Sequence, residues 1–234
     1  MTTSAPVLFL PGTLCDERVW LPVWQRMKIS QRRYVPLQWA ATKDDMLALT
    51  SDRVIQDEKV HLVGFSMGGY VAALWASQNM EHVASITLIG YDAKGLSKEE
   101  IARRKQLVTM LNSGDFKPEN PAYFTRFVHP THQESPDVMG VVQSMAEDLG
   151  KNTLLAHTQA TSPREDFVKA LAKSKVPVNI IAAADDEVVS LASLQTVADN
   201  IATANMYKVE NAGHMMLLEQ PEKLATLLSN CIDV

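Results

Sequence analysis

The chain has 234 residues, with 22 basic against 27 acidic side chains and a formal net charge of −5. Hydrophobic residues make up 46% and charged residues 21%, a composition that indicates a single globular core and excludes a disordered chain. The mild acidity disfavours a nucleic-acid partner, because no basic stripe is present to collect phosphates. The N-terminus carries no basic patch followed by an apolar segment, and no apolar run is long enough to span a membrane. We therefore expect a cytoplasmic protein without a membrane partner.

Six short apolar runs bounded by turn-forming residues have the pattern of buried parallel strands. They lie at residues 7–10, 34–38, 60–65, 86–89, 176–184 and 204–209. Stretches of helical length and mostly amphipathic pattern separate the early strands, at residues 17–27, 44–55 and 66–79. This alternation predicts an α/β fold in which helices flank a mainly parallel sheet of about six strands.

Residues 93–163 interrupt the alternation, because they contain no convincing strand. Ser97 and Glu100 have the spacing of a capping box at the start of a helix over 97–111. Further helices are predicted at 123–128, 136–149 and 152–160. A helical insertion between two parallel strands commonly covers the carboxyl edge of the sheet, where ligands bind. We therefore predict a core domain of residues 1–92 and 164–234 with a helical lid at 93–163.

The segment Gly64-Phe65-Ser66-Met67-Gly68 follows an apolar strand and precedes a helix. A sharp strand-to-helix turn strains the backbone of its central residue, and tiny residues two positions away leave room for that turn. The turn lifts the Ser66 hydroxyl above the sheet edge and directs the Met67 amide to the place where an oxyanion develops. We predict Ser66 as a nucleophile and Met67 as an oxyanion-hole donor.

A serine nucleophile needs a base that a third group orients. His214 fits, because it follows the last predicted strand in a tight loop before the final helix. His61 begins a strand at the wrong edge of the sheet, His82 follows the nucleophile helix, and His157 lies in a predicted lid helix. We therefore predict His214 as the base.

The orienting acid has three candidates near the carboxyl ends of strands. The strand at 176–184 runs into Asp185 and Asp186, and Asp92 ends the strand before it. Only one carboxylate can fix the tautomer of the histidine and stabilise its charged form. We prefer Asp186, and Asp92 and then Asp185 remain the alternatives.

These blocks together resemble the α/β-hydrolase superfamily over nearly the whole chain. The run LFLPGT at residues 8–13 is similar to the oxyanion strand of the family, with Pro11 where His is usual. The resemblance implies Thr13 as the second amide donor, with Leu14 if the loop is shifted. The acid block is similar to G-x-x-D-x-x-x-P, although Ala183 replaces Gly and Ser190 replaces Pro, and counting from Ala183 selects Asp186.

The end of the chain also resembles the family, since NAGH at residues 211–214 is followed by LEQPE at 218–222. Many members begin with an antiparallel strand pair, but only six residues precede Val7 here. The resemblance therefore implies a minimal sheet of about six strands. The exposed sheet edge leaves both a monomer and a homodimer open.

The resemblance implies a serine hydrolase that cleaves a small or medium carboxylic ester through an acyl-enzyme, without a cofactor. The same triad also serves relatives in thioester or lactone hydrolysis, and in elimination or C–C cleavage of carboxylated metabolites. The latter often needs an arginine in the pocket, for which Arg103, Arg104 and Arg126 are candidates. A ligand-sensing protein that kept the fold is a third alternative.

Apolar residues of the predicted lid, with one from the core, are candidates for the substrate pocket. They are Phe124, Phe127, Met139, Val142, Met145 and Met215. His129 and His132 form an H-x-x-H pair, but two ligands without a third on the same element do not make a metal site. We interpret the pair as part of a polar lid loop and predict no metal.

Overall fold

The computed structural model describes residues 5–118 and 120–232. Its strands are β1 (Val7–Leu10), β2 (Arg32–Tyr34), β3 (Val60–Phe65), β4 (Val83–Ile89), β5 (Val178–Ala183) and β6 (Ala204–Val209). They form one sheet in the order β2-β1-β3-β4-β5-β6, and every neighbouring pair is parallel. The prediction of a six-stranded parallel sheet in an α/β fold is confirmed.

The helices cover both faces of this sheet, as the continuous apolar strands require. They are α1 (Leu21–Trp24), α2 (Lys43–Ser51), α3 (Met67–Gln78), α4 (Lys98–Ser113), α5 (Pro121–Phe124), α6 (Val141–Ala160), α7 (Val168–Lys173), α8 (Leu191–Asp199), α9 (Met216–Glu219) and α10 (Pro221–Cys231). Val7 and Phe9 of β1 pack in the layer that holds residues of α1, α6, α9 and α10. Leu8 and Leu10 pack in the opposite layer, with residues of α2, α3, α7 and α8.

Two predicted elements near the N-terminus differ from the structure. The strand predicted at 34–38 ends at Tyr34, because Pro36 has no N–H to extend the ladder, and a 3-10 turn follows at Leu37–Trp39. The helix predicted at 17–27 is divided into a 3-10 turn at Glu17–Val19 and the short α1. Pro22 lies in the first turn of α1, where its missing N–H cannot continue the preceding turn.

Between β4 and β5, the regular elements in the described part of the chain are all helical. The predicted capping box begins α4, where the Ser97 hydroxyl accepts from the Glu100 amide at 3.1 Å and the Glu100 carboxylate accepts from the Ser97 amide at 2.9 Å. Gly150 breaks α6 with φ 70° and ψ −179°, at the boundary between two predicted helices. We call residues 93–163 the helical insertion.

Across residues 5–118 and 120–232, the structure contains no helix with both the length and the apolar character that crossing a bilayer requires.

Candidate active site

Ser66 occupies a strained turn between β3 and α3. Its backbone angles, φ 51° and ψ −112°, fall in a region that residues other than glycine rarely adopt. A Cβ atom on Gly64 would lie 2.4 Å from the Gly68 carbonyl oxygen, and one on Gly68 would lie 2.1 Å from the Leu10 carbonyl oxygen. The turn therefore requires glycine at both positions, which is the physical basis of the G-x-S-x-G pattern.

Ser66, His214 and Asp186 come together at the carboxyl ends of β3, β6 and β5. The Ser66 Oγ lies 2.9 Å from His214 Nε2, and His214 Nδ1 lies 2.8 Å from Asp186 Oδ2. Both members of the His214–Asp186 pair have almost fully buried side chains. The three residues predicted from separate blocks of the sequence thus form one continuous hydrogen-bonded row.

Asp186 remains a carboxylate in this buried position. Burial alone would raise the pKa of Asp186, but the charge of His214 and hydrogen bonds to the carboxylate lower it overall. The Val188 and Val189 amides donate to Asp186 Oδ1 at 2.7 and 3.0 Å, which leaves Oδ2 for His214. The loop after β5 therefore fixes both the charge and the orientation of this side chain.

The two alternative acids have other partners. The Asp92 carboxylate accepts from the Ser193 hydroxyl and from the Lys94 amide, the latter at 2.9 Å. Asp185 is half exposed, and its carboxylate lies 3.6 Å from His129 Nε2.

The loop after β1 brings Thr13 and Leu14 to the same site, and both line the cavity beside Ser66. Leu14 has a φ of 54°, and its amide donates to His157 Nδ1 at 3.2 Å. The second ring nitrogen of His157 lies 2.9 Å from the Leu37 carbonyl oxygen, to which it donates. Burial lowers the pKa of His157 to about 4, so the ring stays neutral and can accept at one nitrogen while donating at the other.

His157 is a residue whose role the sequence interpretation missed. It lies in α6, within the helical insertion, and is fully buried. The sequence offers one signal for this role, namely a histidine on an otherwise apolar helix face. Such a residue must find hydrogen-bond partners when it is buried. The Leu14 amide is therefore already engaged in a hydrogen bond within the protein.

Glu219 joins the loop of His214 to the helical insertion. Its carboxylate accepts from the Gly213 amide at 2.7 Å and from the His129 amide at 2.5 Å. The carboxyl is buried, and burial raises its pKa to about 7 despite these hydrogen bonds. The LEQPE block at residues 218–222 therefore contains a residue that holds the backbone next to His214.

His129 and His132 lie at the surface of the insertion, with ring centres 6.3 Å apart. His129 Nδ1 lies 2.7 Å from the Thr131 hydroxyl. Among residues 5–118 and 120–232, no group of three or more histidine, cysteine or acidic side chains is arranged to hold a metal ion.

A cavity of about 270 Å³ opens beside Ser66 and His214. Five of the six predicted pocket residues line it, namely Phe124, Phe127, Val142, Met145 and Met215. Met139 does not line the cavity; it lies in a π-helical turn, Pro136–Gly140, and is buried in the hydrophobic core. The lining also contains Glu100, Arg103, Arg104 and Arg126, which give the cavity a charged wall.

Comparison with known proteins agrees with the fold. Monoacylglycerol lipase abhd6-B of Xenopus laevis is 26% identical over 187 residues, which cover 73% of this chain and 53% of the lipase. 3-oxoadipate enol-lactonase 1 of Acinetobacter baylyi is 25% identical over 177 residues, which cover 75% of this chain and 64% of the lactonase. The chain thus spans about half the length of the lipase relatives it matches.

A solved structure of a thermophilic esterase from Thermogutta terrifontis, with malate bound, superposes with a TM-score of 0.83 at 21% identity. The superposition covers 97% of this chain and 89% of the esterase. A family model described as the alpha/beta hydrolase fold matches residues 40–221, most of the chain. The chain therefore belongs to the α/β-hydrolase fold family.

Proposed function

We propose that this protein hydrolyses carboxylic esters of small or medium acyl groups through a covalent intermediate on Ser66. The observation that carries the proposal is the hydrogen-bonded row of Ser66, His214 and Asp186, with separations of 2.9 and 2.8 Å. Two of the similar proteins, a lipase and an esterase, bear names that denote ester cleavage, which supports the same reaction class.

In this mechanism His214 removes the Ser66 proton as the oxygen attacks the ester carbonyl carbon. Asp186 keeps the other imidazole proton on Nδ1 and stabilises the imidazolium that forms. His214 then protonates the departing alcohol and activates a water molecule, which releases the acid and restores Ser66. The reaction as proposed needs no metal or organic cofactor.

The amides of Met67 and Thr13 stabilise the oxyanion in the proposed mechanism. Met67 begins α3, where the first backbone N–H groups have no partner within the helix. The engagement of the Leu14 amide by His157 supports Thr13 rather than Leu14 as the second donor. One donor of this kind contributes about 3 kcal/mol to the transition state.

The helical insertion serves as a lid in this proposal. Its side chains Phe124, Phe127, Val142 and Met145 line the cavity together with Ser66 from the core. Apolar walls of this kind suit an acyl chain, because burying its surface contributes favourable free energy.

Lactone hydrolysis is the second candidate. The similarity to an enol-lactonase favours it, and a lactone is a cyclic ester that the same nucleophile, base and oxyanion donors can open.

A fluorophosphonate probe tests the nucleophile directly, because it forms a stable adduct only with an activated serine. We expect the wild type to be labelled and to hydrolyse 4-nitrophenyl esters. Ser66→Ala should not be labelled, and its rate of hydrolysis should be lower by at least about 10⁴-fold. Ser77→Ala, which changes a serine at the far end of α3, is the matched control and should behave as the wild type. An unlabelled wild type beside a labelled control esterase would refute the proposal.

A further inference from the structure

The cavity beside Ser66 has an unexpected charge. Three basic residues line it, Arg103, Arg104 and Arg126, against one acidic residue, Glu100. The Glu100 carboxylate already accepts the Ser97 amide at the start of α4. Since the whole chain has a net charge of −5, this excess of cations does not follow from the overall composition.

Arg104 is the most buried of the three arginines, since Arg103 and Arg126 are exposed. It is half-buried, and its Nη1 donates to two neutral groups, the Thr161 and Ser162 hydroxyls, at 3.3 Å each. Burial, followed by repulsion from Arg164, lowers the pKa of Arg104 to about 9, and the attraction of Glu100 offsets only part of this change. A partly desolvated guanidinium of this kind is stabilised by an anion that it can pair with.

Among the described residues, none of the three arginines forms an ion pair with a carboxylate. Other surface arginines of the chain do so: Arg18 pairs with Asp16 and Asp148, and Arg26 pairs with Glu222. Within residues 5–118 and 120–232, the arginines of the cavity wall thus have no carboxylate within ion-pair distance.

The cationic wall is close enough to the proposed reacting groups for one small molecule to reach both. The guanidinium carbon of Arg126 lies 5.2 Å from the centre of the Phe127 ring. The Phe127 ring centre in turn lies 6.0 Å from that of His214. Arg104 and Ser66 line the same cavity of about 270 Å³.

We propose that the substrate carries a carboxylate in addition to its ester bond, and that Arg104, with Arg103 and Arg126, binds this carboxylate. The inference rests on the proposed ester hydrolysis and narrows its substrate class to half-esters of dicarboxylic acids. A guanidinium presents a planar fork of donors that matches a carboxylate, so the contact both neutralises and orients the substrate.

Two methyl esters of equal chain length test the substrate class. Monomethyl adipate carries a carboxylate at the end of its chain, and methyl hexanoate carries a methyl group there. We expect the wild type to have a kcat/KM at least tenfold higher for monomethyl adipate, measured by methanol release. Arg104→Met should lower this preference about tenfold or more, and Arg126→Met by a smaller factor, because a hydrogen bond to a charged group is lost.

Lys105→Met is the matched control, since Lys105 is exposed on the same helix and does not line the cavity. This variant should keep the wild-type preference. Equal kcat/KM values for the two esters in the wild type would overturn the inference, as would an unchanged preference in both arginine variants. Arg126 is exposed, so Arg126→Met remains informative if Arg104→Met does not fold.

Calorimetric titration of adipate separates this inference from the hydrolase proposal, because it requires no turnover. We expect adipate to bind Ser66→Ala and the wild type alike, and to bind Arg104→Met at least tenfold more weakly. Binding without ester hydrolysis would support the anion subsite while refuting the hydrolase proposal. Hydrolysis of both esters without adipate binding would refute the subsite alone.

Discussion

At the loop after β1, a single histidine holds the backbone that supplies the proposed oxyanion donor. His157 accepts the Leu14 amide and donates to the Leu37 carbonyl, so both ring nitrogens are satisfied inside the core. Leu14 has a positive φ of 54°, which costs free energy unless surrounding contacts maintain it. The histidine therefore connects the helical insertion to the geometry of the oxyanion loop.

Replacing His157 with phenylalanine should lower kcat for a 4-nitrophenyl ester by about 10- to 100-fold. This factor is smaller than that for complete loss of one oxyanion donor, because the donor is displaced and not removed. The change removes the acceptor of the Leu14 amide while keeping an aromatic ring of similar size. His157→Asn offers an amide oxygen near the position of Nδ1 and should recover part of kcat. Initial-rate kinetics separate the expected loss in kcat from any change in KM.

His82→Ala is the control for this prediction, because His82 directly precedes β4. It therefore lies at the amino end of the strands, whereas the candidate site lies at their carboxyl ends. It should keep the kcat of the wild type. If His157→Phe is fully folded by circular dichroism and retains the wild-type kcat, His157 does not position the oxyanion loop.

The residues of the candidate triad could be predicted because each has a local cause in the sequence. The turn at Ser66 excludes side chains at Gly64 and Gly68, so its pattern is visible within five residues. His157 has no such local cause, since its partners Leu14 and Leu37 lie 143 and 120 positions away. Roles of this kind follow from the tertiary fold and cannot be read from spacing.

Among the secondary-structure elements, α9 connects the core to the helical insertion through one carboxyl group. Glu219 accepts the Gly213 amide, next to His214, and the His129 amide of the insertion. Burial raises the pKa of Glu219 to about 7, so this carboxyl group ionises less readily in the folded protein than in the unfolded chain. This connection therefore makes stability depend on pH.

The contribution of Glu219 to the unfolding free energy should be fully present below about pH 4.5, its ordinary pKa, and should be lost as pH rises through about 7. The largest possible change is about 3 kcal/mol, since one pKa unit corresponds to about 1.4 kcal/mol. Urea unfolding of the wild type and of Glu219→Gln, measured from pH 4.5 to 8, should give a difference that declines over this interval.

Glu99→Gln, which makes the same substitution at an exposed glutamate in the first turn of α4, provides the comparison at a carboxyl group that is not buried. A difference between the wild type and Glu219→Gln that is flat with pH would show that Glu219 does not titrate in this interval.

Prediction from sequence is accurate where a short apolar run is bounded by turn-forming residues, and less so where proline changes the backbone. The apolar runs predicted β1, β3 and β6 with the bounds that the structure has. The run at residues 34–38 predicts the second strand too late in the chain, because the run continues through Pro36 although the hydrogen-bonded ladder cannot. The apolar character of Met139 predicts a place in the pocket, but apolar character alone does not distinguish a residue of the cavity wall from one in the core behind it.

At the scale of the whole molecule, the residues that form the candidate site and the residues of one apolar layer that stabilises the fold occupy different places on the sheet. Ser66, Asp186 and His214 lie beyond the carboxyl ends of three parallel strands. The layer that holds α2, α3, α7 and α8 packs against the middle of the sheet on one face. The apolar side chains of this layer stabilise the fold through burial, and they form no hydrogen bonds with the side chains of Ser66, Asp186 or His214.

Ile86 provides the test of this separation, because it is fully buried in that layer, in a strand that carries no residue of the candidate triad. Ile86→Ala should lower the unfolding free energy by about 2–5 kcal/mol, from lost burial and the cavity that remains. Ester hydrolysis at 25 °C should stay within about twofold of the wild type while the variant is folded. Ile55→Ala makes the same substitution at a side chain that is 65% exposed, and should change stability by less than about 0.5 kcal/mol. If kcat falls in Ile86→Ala while unfolding curves show a folded protein, the central sheet is mechanically coupled to Ser66 and His214, and the two functions of the molecule are not separate.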